Sequence, residues 1–184
     1  GGELVGTDCI QGTDLCVYGG TGVGIQLLAG VQPQLVSSVP AVQPSVSVAA
    51  NGTVSVVWVA DEDYDDSNGT EVLRMQRFAP DLTPLGDSTV VHTGAYLGRP
   101  QLEANDNGAF VVFEAGASWS AGVFGQVIDE AGIPYGVPAS IGEMTVGEKK
   151  SPRVERMQDG RLLVVWRDGI GLGARIRGRF IDIW

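Results

Sequence analysis

The chain has 184 residues, of which 43% are hydrophobic, and its formal net charge is −10. This charge disfavours nucleic acid and anionic membranes as main partners, because both repel an acidic surface. No apolar run approaches the roughly 20 residues of a membrane-spanning helix, so the sequence predicts no membrane insertion.

The first part of the chain contains both cysteines, Cys9 and Cys16. If Gly12-Thr13 is a two-residue hairpin turn, the cysteines lie opposite each other on paired strands and can form a disulfide. Two free buried thiols are the alternative. A disulfide predicts an extracellular or periplasmic protein, because such bonds persist in oxidising compartments. Later strands of this abbreviated unit are predicted at 24–29 and 34–39.

The best-formed segment covers residues 43–92, where four short strands are predicted. Polar and apolar residues alternate over 43–48, which is typical of a half-buried strand, and Asn51-Gly52 is a hairpin signal. The next strands are predicted at 54–59, 71–78 and 88–92. Four antiparallel strands in succession form a meander, which is the unit of a β-propeller blade.

Two further segments copy this order. The turn is repeated at Asn107-Gly108 and at Asp159-Gly160. The final copy stops after its third strand, predicted at 175–181. The spacing suggests that Glu3-Leu4-Val5 supplies the missing strand, which would remove two open sheet edges and close a ring.

An interval of about fifty residues relates the third strands of the units, which carry Leu27, Arg77, Val127 and Arg179 at matching positions. Repeats of this length indicate a propeller or an array. We therefore predict an all-β fold, a small β-propeller of about four four-stranded antiparallel blades closed by the N-terminal strand. A piece of a larger propeller and a half ring that dimerises are the alternatives. The prediction is a single domain, 1–184, with blades at 8–40, 41–97, 98–149 and 150–184 plus 1–7.

The charges are unevenly distributed along the repeats. Residues 1–147 carry three basic and 17 acidic side chains, whereas residues 148–184 carry nine basic and five acidic ones. Surface drift is one explanation. The other is a head-to-tail contact, either within a closed ring or between copies of the chain that self-associate.

Several of these segments resemble a known repeat. Residues 159–166 read D-G-R-L-L-V-V-W, and Gln76-Arg77-Phe78 and Gly132-x-Pro134-x-Gly136 complete the pattern. The repeats of large secreted bacterial surface proteins are similar, with D-G-x-F-V-V-x-W followed by Q-R-F-D-x-x-G-x-P-x-G. The resemblance covers roughly residues 43–184 and implies an extracellular adhesion or scaffold role. It specifies a blade rather than an activity.

An acidic loop between the second and third strands of the 43–92 unit is a candidate calcium site, and calcium is the only cofactor that the sequence suggests. Oxygen ligands at alternate positions can surround one cation. The sixth position is Asn68 rather than glycine and the twelfth is Arg74 rather than glutamate, so a solvated acidic loop is the alternative. The candidate ligands are Asp63, Asp65, Ser67 and Glu71, with Asp61 in a second register.

Two further groups of residues could contact a ligand. Aromatic side chains in the predicted loops, Trp119, Tyr96 and Tyr64, can stack on sugar rings, although packing against their own loops is the alternative. Glu103 and Glu155 occupy matching positions on inner strands, where a pair of carboxylates could bind a cation or act as acid and base. Ion pairs with nearby arginines are the structural alternative for the glutamates.

These observations favour a non-enzymatic secreted propeller module that binds a protein or glycan through its loop face. The first alternative is a propeller glycoside hydrolase or lyase that uses Glu103 and Glu155. The second is a purely structural repeat segment of a larger surface protein.

Overall fold

The structure, a computed structural model, describes residues 4–11, 15–20, 23–29, 32–37, 41–60, 70–116, 121–142 and 149–183. In these ranges the chain forms fifteen β-strands and one short 3-10 helix, Gly171–Gly173. No helix in the described ranges is long and apolar enough to cross a membrane. The fold is all-β, as the repeat predicts.

The strands follow one another as short antiparallel neighbours. In chain order they are β1 (Leu4–Cys9), β2 (Cys16–Gly20), β3 (Val23–Ala29), β4 (Gln32–Leu35), β5 (Ala41–Val48), β6 (Val54–Ala60), β7 (Thr70–Phe78), β8 (Thr89–Ala95), β9 (Gly98–Asn105), β10 (Gly108–Ala115), β11 (Gly122–Ile128), β12 (Pro134–Ser140), β13 (Lys149–Arg156), β14 (Leu162–Asp168) and β15 (Arg175–Ile181).

Each group of strands is a meander in sequence order. The groups β1–β4, β5–β8 and β9–β12 have four strands, and the last described group is β13–β15. A single pair, Gly20 with Ala41, joins the first two groups into one larger sheet. The predicted meanders are therefore confirmed, and each is called a unit below.

The predicted closure by the N-terminal strand is wrong for the described part of the chain. β1 pairs with β2, in a register that runs from Leu4 opposite Gly20 to Cys9 opposite Cys16. β1 is therefore the first strand of the first unit and not the fourth strand of the last. Among the described strands, β15 pairs with β14 alone.

The predicted disulfide is confirmed, and it accounts for the position of β1. Cys9 and Cys16 are bonded, with their Cα atoms 4.1 Å apart. Residues directly opposite each other in a non-hydrogen-bonded pair lie about 4.5 Å apart, which suits a disulfide. Because the bond fixes this pair, the rest of β1 pairs with β2.

The hydrophobic core lies between successive units. Strand β10 shows how: Val111 and Phe113 face the second unit, whereas Phe110 and Val112 face the last. Side chains of a strand alternate between the two faces of its sheet, so one strand contributes to two clusters. Trp58 is buried between the first and second units, and Trp166 is buried between the third and last units. Burial of each large apolar side chain stabilises the fold by about 2 kcal/mol.

The first strand of every unit contacts the first strand of the next, in the order β1, β5, β9, β13. We call these four the inner strands. Because they are neighbours in space, their polar side chains meet at the centre of the molecule.

Two buried glutamines explain part of the sequence repeat. The side-chain amide of Gln76 donates to the Gly86 carbonyl at 2.8 Å, and that of Gln126 donates to the Tyr135 carbonyl at 2.8 Å. The first bond ties the third strand to the turn that leads into the fourth, and the second ties it to the start of the fourth strand itself. In the last unit the sequence repeat and the strand pairing differ by one residue. Phe180, and not Arg179, pairs with the second strand of its unit at the position that Arg77 occupies in the second unit.

The turn glycines provide a test of the fold. A Cβ atom at Gly108 would lie 2.1 Å from the Ile128 carbonyl oxygen, whereas at Gly160 nothing lies within 4 Å. Both residues have positive φ, +141° and +88°. We expect Gly160→Ala to cost about 1 kcal/mol and Gly108→Ala at least about 3 kcal/mol, because it adds a backbone clash. Urea unfolding measures both, and equal losses would contradict this packing.

The disulfide provides a second test. Replacing both cysteines by serine should lower the free energy of unfolding by about 2 kcal/mol, because the bond restricts a short loop in the unfolded chain. Thermal unfolding with and without reductant measures the effect. The reductant should lower the Tm of the native protein and leave that of the double variant unchanged.

Candidate functional site

Three carboxylates and a serine occupy one level of the inner strands. Each is paired through the same register with the second strand of its own unit: Asp8 with Val17, Ser47 with Ser55, Glu103 with Phe110 and Glu155 with Leu163. We call these four residues the polar layer. Asp8 is the member that the sequence analysis missed, because residues 1–7 were predicted to belong to the last unit and the strand Leu4–Cys9 was therefore divided between two units. The disulfide register was the signal that could have identified it.

Members of the polar layer connect one inner strand to the next. Asp8 accepts hydrogen bonds from the Ser45 hydroxyl at 2.8 Å and from the Val46 backbone N–H at 2.9 Å. Ser47 in turn accepts one from the Ala104 N–H at 3.1 Å. These bonds satisfy buried donors at the junctions of the units.

Glu103 occupies the corresponding position at the next junction. Burial and the negative charge of Glu155 together raise the pKa of its carboxyl to about 7, against a lowering by Arg156. Glu103 is half-buried, whereas Glu155 is exposed. A carboxyl that keeps its proton near neutral pH beside a second carboxylate is the arrangement that acid–base catalysis requires.

Glu103 lines a cleft of about 540 Å³ at the end of the inner strands. The cleft is formed where the β5–β6 and β9–β10 turns approach Arg156. It is large enough for a sugar-sized ligand. Its lining residues are Val48, Ala50, Glu103, Ala104, Asn105, Asp106, Asn107 and Arg156.

A second cavity, of about 440 Å³, lies at the opposite end of the inner strands. Residues from all four inner strands line it, so it marks the centre of the molecule, and we call it the central cavity. Its polar lining residues are Thr7, Gln43, Arg99, Gln101, Ser151 and Arg153.

The central cavity is shaped by a repeated backbone feature. Gln43, Arg99 and Ser151 have positive φ values of 54°, 46° and 57°, and each precedes a proline in an inner strand. The strand register shifts at or beside each of these positions. Non-glycine residues in this conformation are strained, and such strain concentrates at functional sites. The matching X-Pro spacing was the sequence signal for this feature, and the sequence analysis did not use it.

The other predicted site residues remain predictions. Tyr96 is 60% exposed in the loop that leads into β9, three residues before Arg99. Trp119 and Tyr64 lie outside the described residues, so glycan stacking by these aromatics stays a prediction.

The calcium prediction is also open. Glu71, near the start of β7, is half-buried. Among the described residues, no group of three or more His, Cys, Asp and Glu side chains could hold a metal ion. The remaining candidate ligands lie outside those residues, namely Asp61, Asp63, Asp65 and Ser67.

No protein-family model matches the chain, and no curated protein sequence is similar to it. Solved structures do match. An α-L-arabinanase of Penicillium chrysogenum in complex with arabinobiose superposes with a TM-score of 0.66 at 12% identity, over 98% of this chain and 67% of that protein. The GH93 α-L-arabinofuranosidase of Fusarium graminearum with arabinobiose gives 0.64 at 10% identity, over 96% and 62%. An endo-arabinase of Bacteroides thetaiotaomicron gives 0.58 at 12% identity, over 97% and 75%.

The chain has a propeller-type fold. At these low sequence identities, the structural similarity establishes the fold alone. The comparison nevertheless contradicts the predicted non-enzymatic module, because the solved structures named above are those of glycoside hydrolases. It favours the alternative that the sequence analysis kept, a propeller glycoside hydrolase.

The raised pKa of Glu103 makes the stability of the protein depend on pH. Below pH 4.5 the carboxyl is protonated whether the chain is folded or not. Between pH 4.5 and about 7 the unfolded chain loses this proton and the folded chain keeps it, so stability falls as pH rises. We expect Glu103→Gln to remove this fall, which solvent screening limits to about 1 kcal/mol. Urea unfolding from pH 4.5 to 8 would contradict this if both proteins lost stability equally.

Proposed function

We propose that this protein is a glycoside hydrolase that uses Glu103 as its general acid and Glu155 as the second carboxylate. The observation that carries the proposal is the half-buried Glu103 carboxyl, whose pKa is raised to about 7 beside Glu155. Glycosidases of the usual kind need two carboxyl groups in different protonation states at one site. Burial of one glutamate and exposure of the other would provide that difference here.

The chemistry assigned to the two glutamates is hydrolysis. Glu103 donates its proton to the glycosidic oxygen while the bond from that oxygen to the anomeric carbon breaks. Glu155 accepts a proton from the water that attacks the anomeric carbon, and proton exchange with solvent then restores Glu103 to its acid form and Glu155 to its carboxylate form. Asp8 contacts Ser45 and Val46 and so acts as a positioning residue that holds the inner strands together.

The comparisons support a glycan as the partner. Two matching structures, an arabinanase and an arabinofuranosidase, hold arabinobiose, and further matches include an endo-arabinase and an endo-1,4-β-xylanase. We propose a polysaccharide substrate for this chain on that basis. We further propose that each of the four units is one blade of a propeller. Glu103 and Glu155 would then lie on the inner strands of neighbouring blades.

We also propose that the protein works outside the cytoplasm. The Cys9–Cys16 disulfide supports this, because such bonds persist in extracellular and periplasmic compartments. The resemblance of residues 43–184 to the repeats of secreted bacterial surface proteins supports the same location.

The test is turnover of a polysaccharide panel that includes arabinan, xylan and pectic polymers, measured as released reducing ends. Glu103→Gln and Glu155→Gln should each lower the rate on the active substrate at least about a hundredfold. We expect Glu103→Gln to stabilise the folded chain at neutral pH, so unfolding should not account for its loss of activity. Glu130→Gln, which changes an exposed carboxylate in the turn between β11 and β12, is the matched control and should keep full activity.

The pH profile gives an independent readout of the same assignment. Because Glu103 must be protonated to act as an acid, the rate should fall as pH rises through about 7. Full activity of the Glu103→Gln variant, or turnover of no polysaccharide in the panel, would rule out this function.

A further inference from the structure

We infer that the central cavity binds the carboxylate groups of an acidic oligosaccharide through Arg99 and Arg153. The inference deepens the proposed function, on which it rests for the glycan nature of the ligand. It assigns to the substrate a chemical class, sugars that carry a carboxylate, that differs from the neutral arabinobiose held by the matching structures.

The charge of the cavity is opposite to that of the chain. The protein has a net charge of −10, and residues 1–147 contain only three basic side chains. One of the three, Arg99, lines the central cavity, together with Arg153 from the basic end of the chain. No Asp or Glu is among the described residues that line this cavity. Two arginines line the cavity, and within the described part of the chain only Arg99 has a carboxylate partner, the buried Glu114, so the lining favours an anionic ligand.

Arg99 is held in place by its neighbours. Its guanidinium donates to the Ser151 hydroxyl at 2.6 Å and lies 3.4 Å from the Glu114 carboxylate. Its backbone N–H donates to the Gln43 side chain. Glu114 is buried, and it also accepts from the Ser151 backbone N–H. Because these bonds fix Arg99 before a ligand arrives, binding would cost little side-chain entropy.

Arg153 can offer guanidinium N–H donors to a ligand. One of its guanidinium nitrogens donates to the Pro152 carbonyl at 3.0 Å. Within the described ranges, no carboxylate forms a salt bridge with it. An arginine has five N–H donors in a planar fork that matches a carboxylate. Arg153 is also exposed at the cavity, so an incoming carboxylate can reach it.

The central cavity lies next to Glu103, the proposed general acid, along β9. Gln101, which lines the cavity, lies two residues before Glu103 on the same face of β9. Two residues of a strand span roughly 7 Å, about the length of one sugar ring. A sugar whose carboxylate is bound by the arginines would therefore extend its neighbouring linkage towards Glu103. The amide of Gln101 lies between the two sites and can bond to sugar hydroxyls.

The test compares two ligands that differ in charge and by one methyl group on each carboxyl. Isothermal titration calorimetry would measure binding of an oligogalacturonide and of its fully methyl-esterified form, in which each carboxylate is neutral. We expect the free acid to bind at least about tenfold more tightly than the ester, and the difference to shrink as salt is raised. Measurements on the Glu103→Gln variant prevent turnover during the titration.

Variants then assign the binding to the cavity. Arg153→Gln should weaken binding of the free acid at least about tenfold and leave binding of the ester unchanged. Arg153→Lys should recover part of the affinity, because a lysine keeps the charge but loses the fork. Arg175→Gln, which removes an exposed arginine of β15 outside the cavity, is the matched control and should bind like the parent. Thermal unfolding of every variant checks that the fold is intact.

The outcomes separate this inference from the proposed function. Equal affinities for acid and ester, full affinity in Arg153→Gln, or no binding of the acid at millimolar concentration would each overturn the inference. Binding of the acid that depends on Arg153 would support it even if no polysaccharide were hydrolysed. Hydrolysis of a neutral polysaccharide without binding of the acid would support the function and reject the inference.

Discussion

Every sheet in this protein has two faces, and most of the structure follows from the need to cover both. All residues of β6 are buried, and seven of the eight residues of β10 are buried. A strand of this kind is stable only if another sheet packs against each of its faces. The last unit lacks a described neighbour on one side, and β14 alternates between buried and half-buried residues. In β15, Ile176 is 76% exposed.

The same constraint produces the candidate site. Sheets that pack face to face bring their inner strands together at the centre, where backbone donors from one strand meet side chains from the previous one. Asp8 and Ser47 accept hydrogen bonds from these donors. Glu103 occupies the equivalent position near Glu155 and Arg156, and it retains its proton to unusually high pH. The chemistry therefore arises at a junction that the packing already requires, and only the residue type differs.

The sequence predicted the strands well because their signals are local. Alternation, the Asn-Gly and Asp-Gly turns and the fifty-residue interval place β5 to β15 close to their observed positions. The prediction for the N-terminal strand was wrong only in its pairing partner. No local signal distinguishes a strand that pairs with β2 from one that pairs with β15. The spacing of the repeats favoured pairing with the last unit, which contains β15. The disulfide, which was itself predicted, contained the decisive information about register.

The candidate site was predicted in part for a similar reason. Glu103 and Glu155 followed from the repeat, whereas the pKa of Glu103 depends on burial between two units and could not be read from residue types. Arg99 was missed because its role depends on a strained backbone and on contacts with Gln43 and Ser151, which lie more than fifty residues away on either side in sequence. Function was misjudged because blade motifs describe the scaffold, and catalytic side chains vary on a common scaffold.

The meander order of the strands also bears on how the molecule forms. Neighbouring strands within a unit are adjacent in sequence, so most pairings close short loops and lose little chain entropy. Contacts between units connect residues about one repeat apart, as in the bond from Ala104 to Ser47. Such a chain can assemble progressively from its N-terminus, each new unit packing on the one completed before it. The unit β13–β15 would then be the last of the described units to pack against its neighbour.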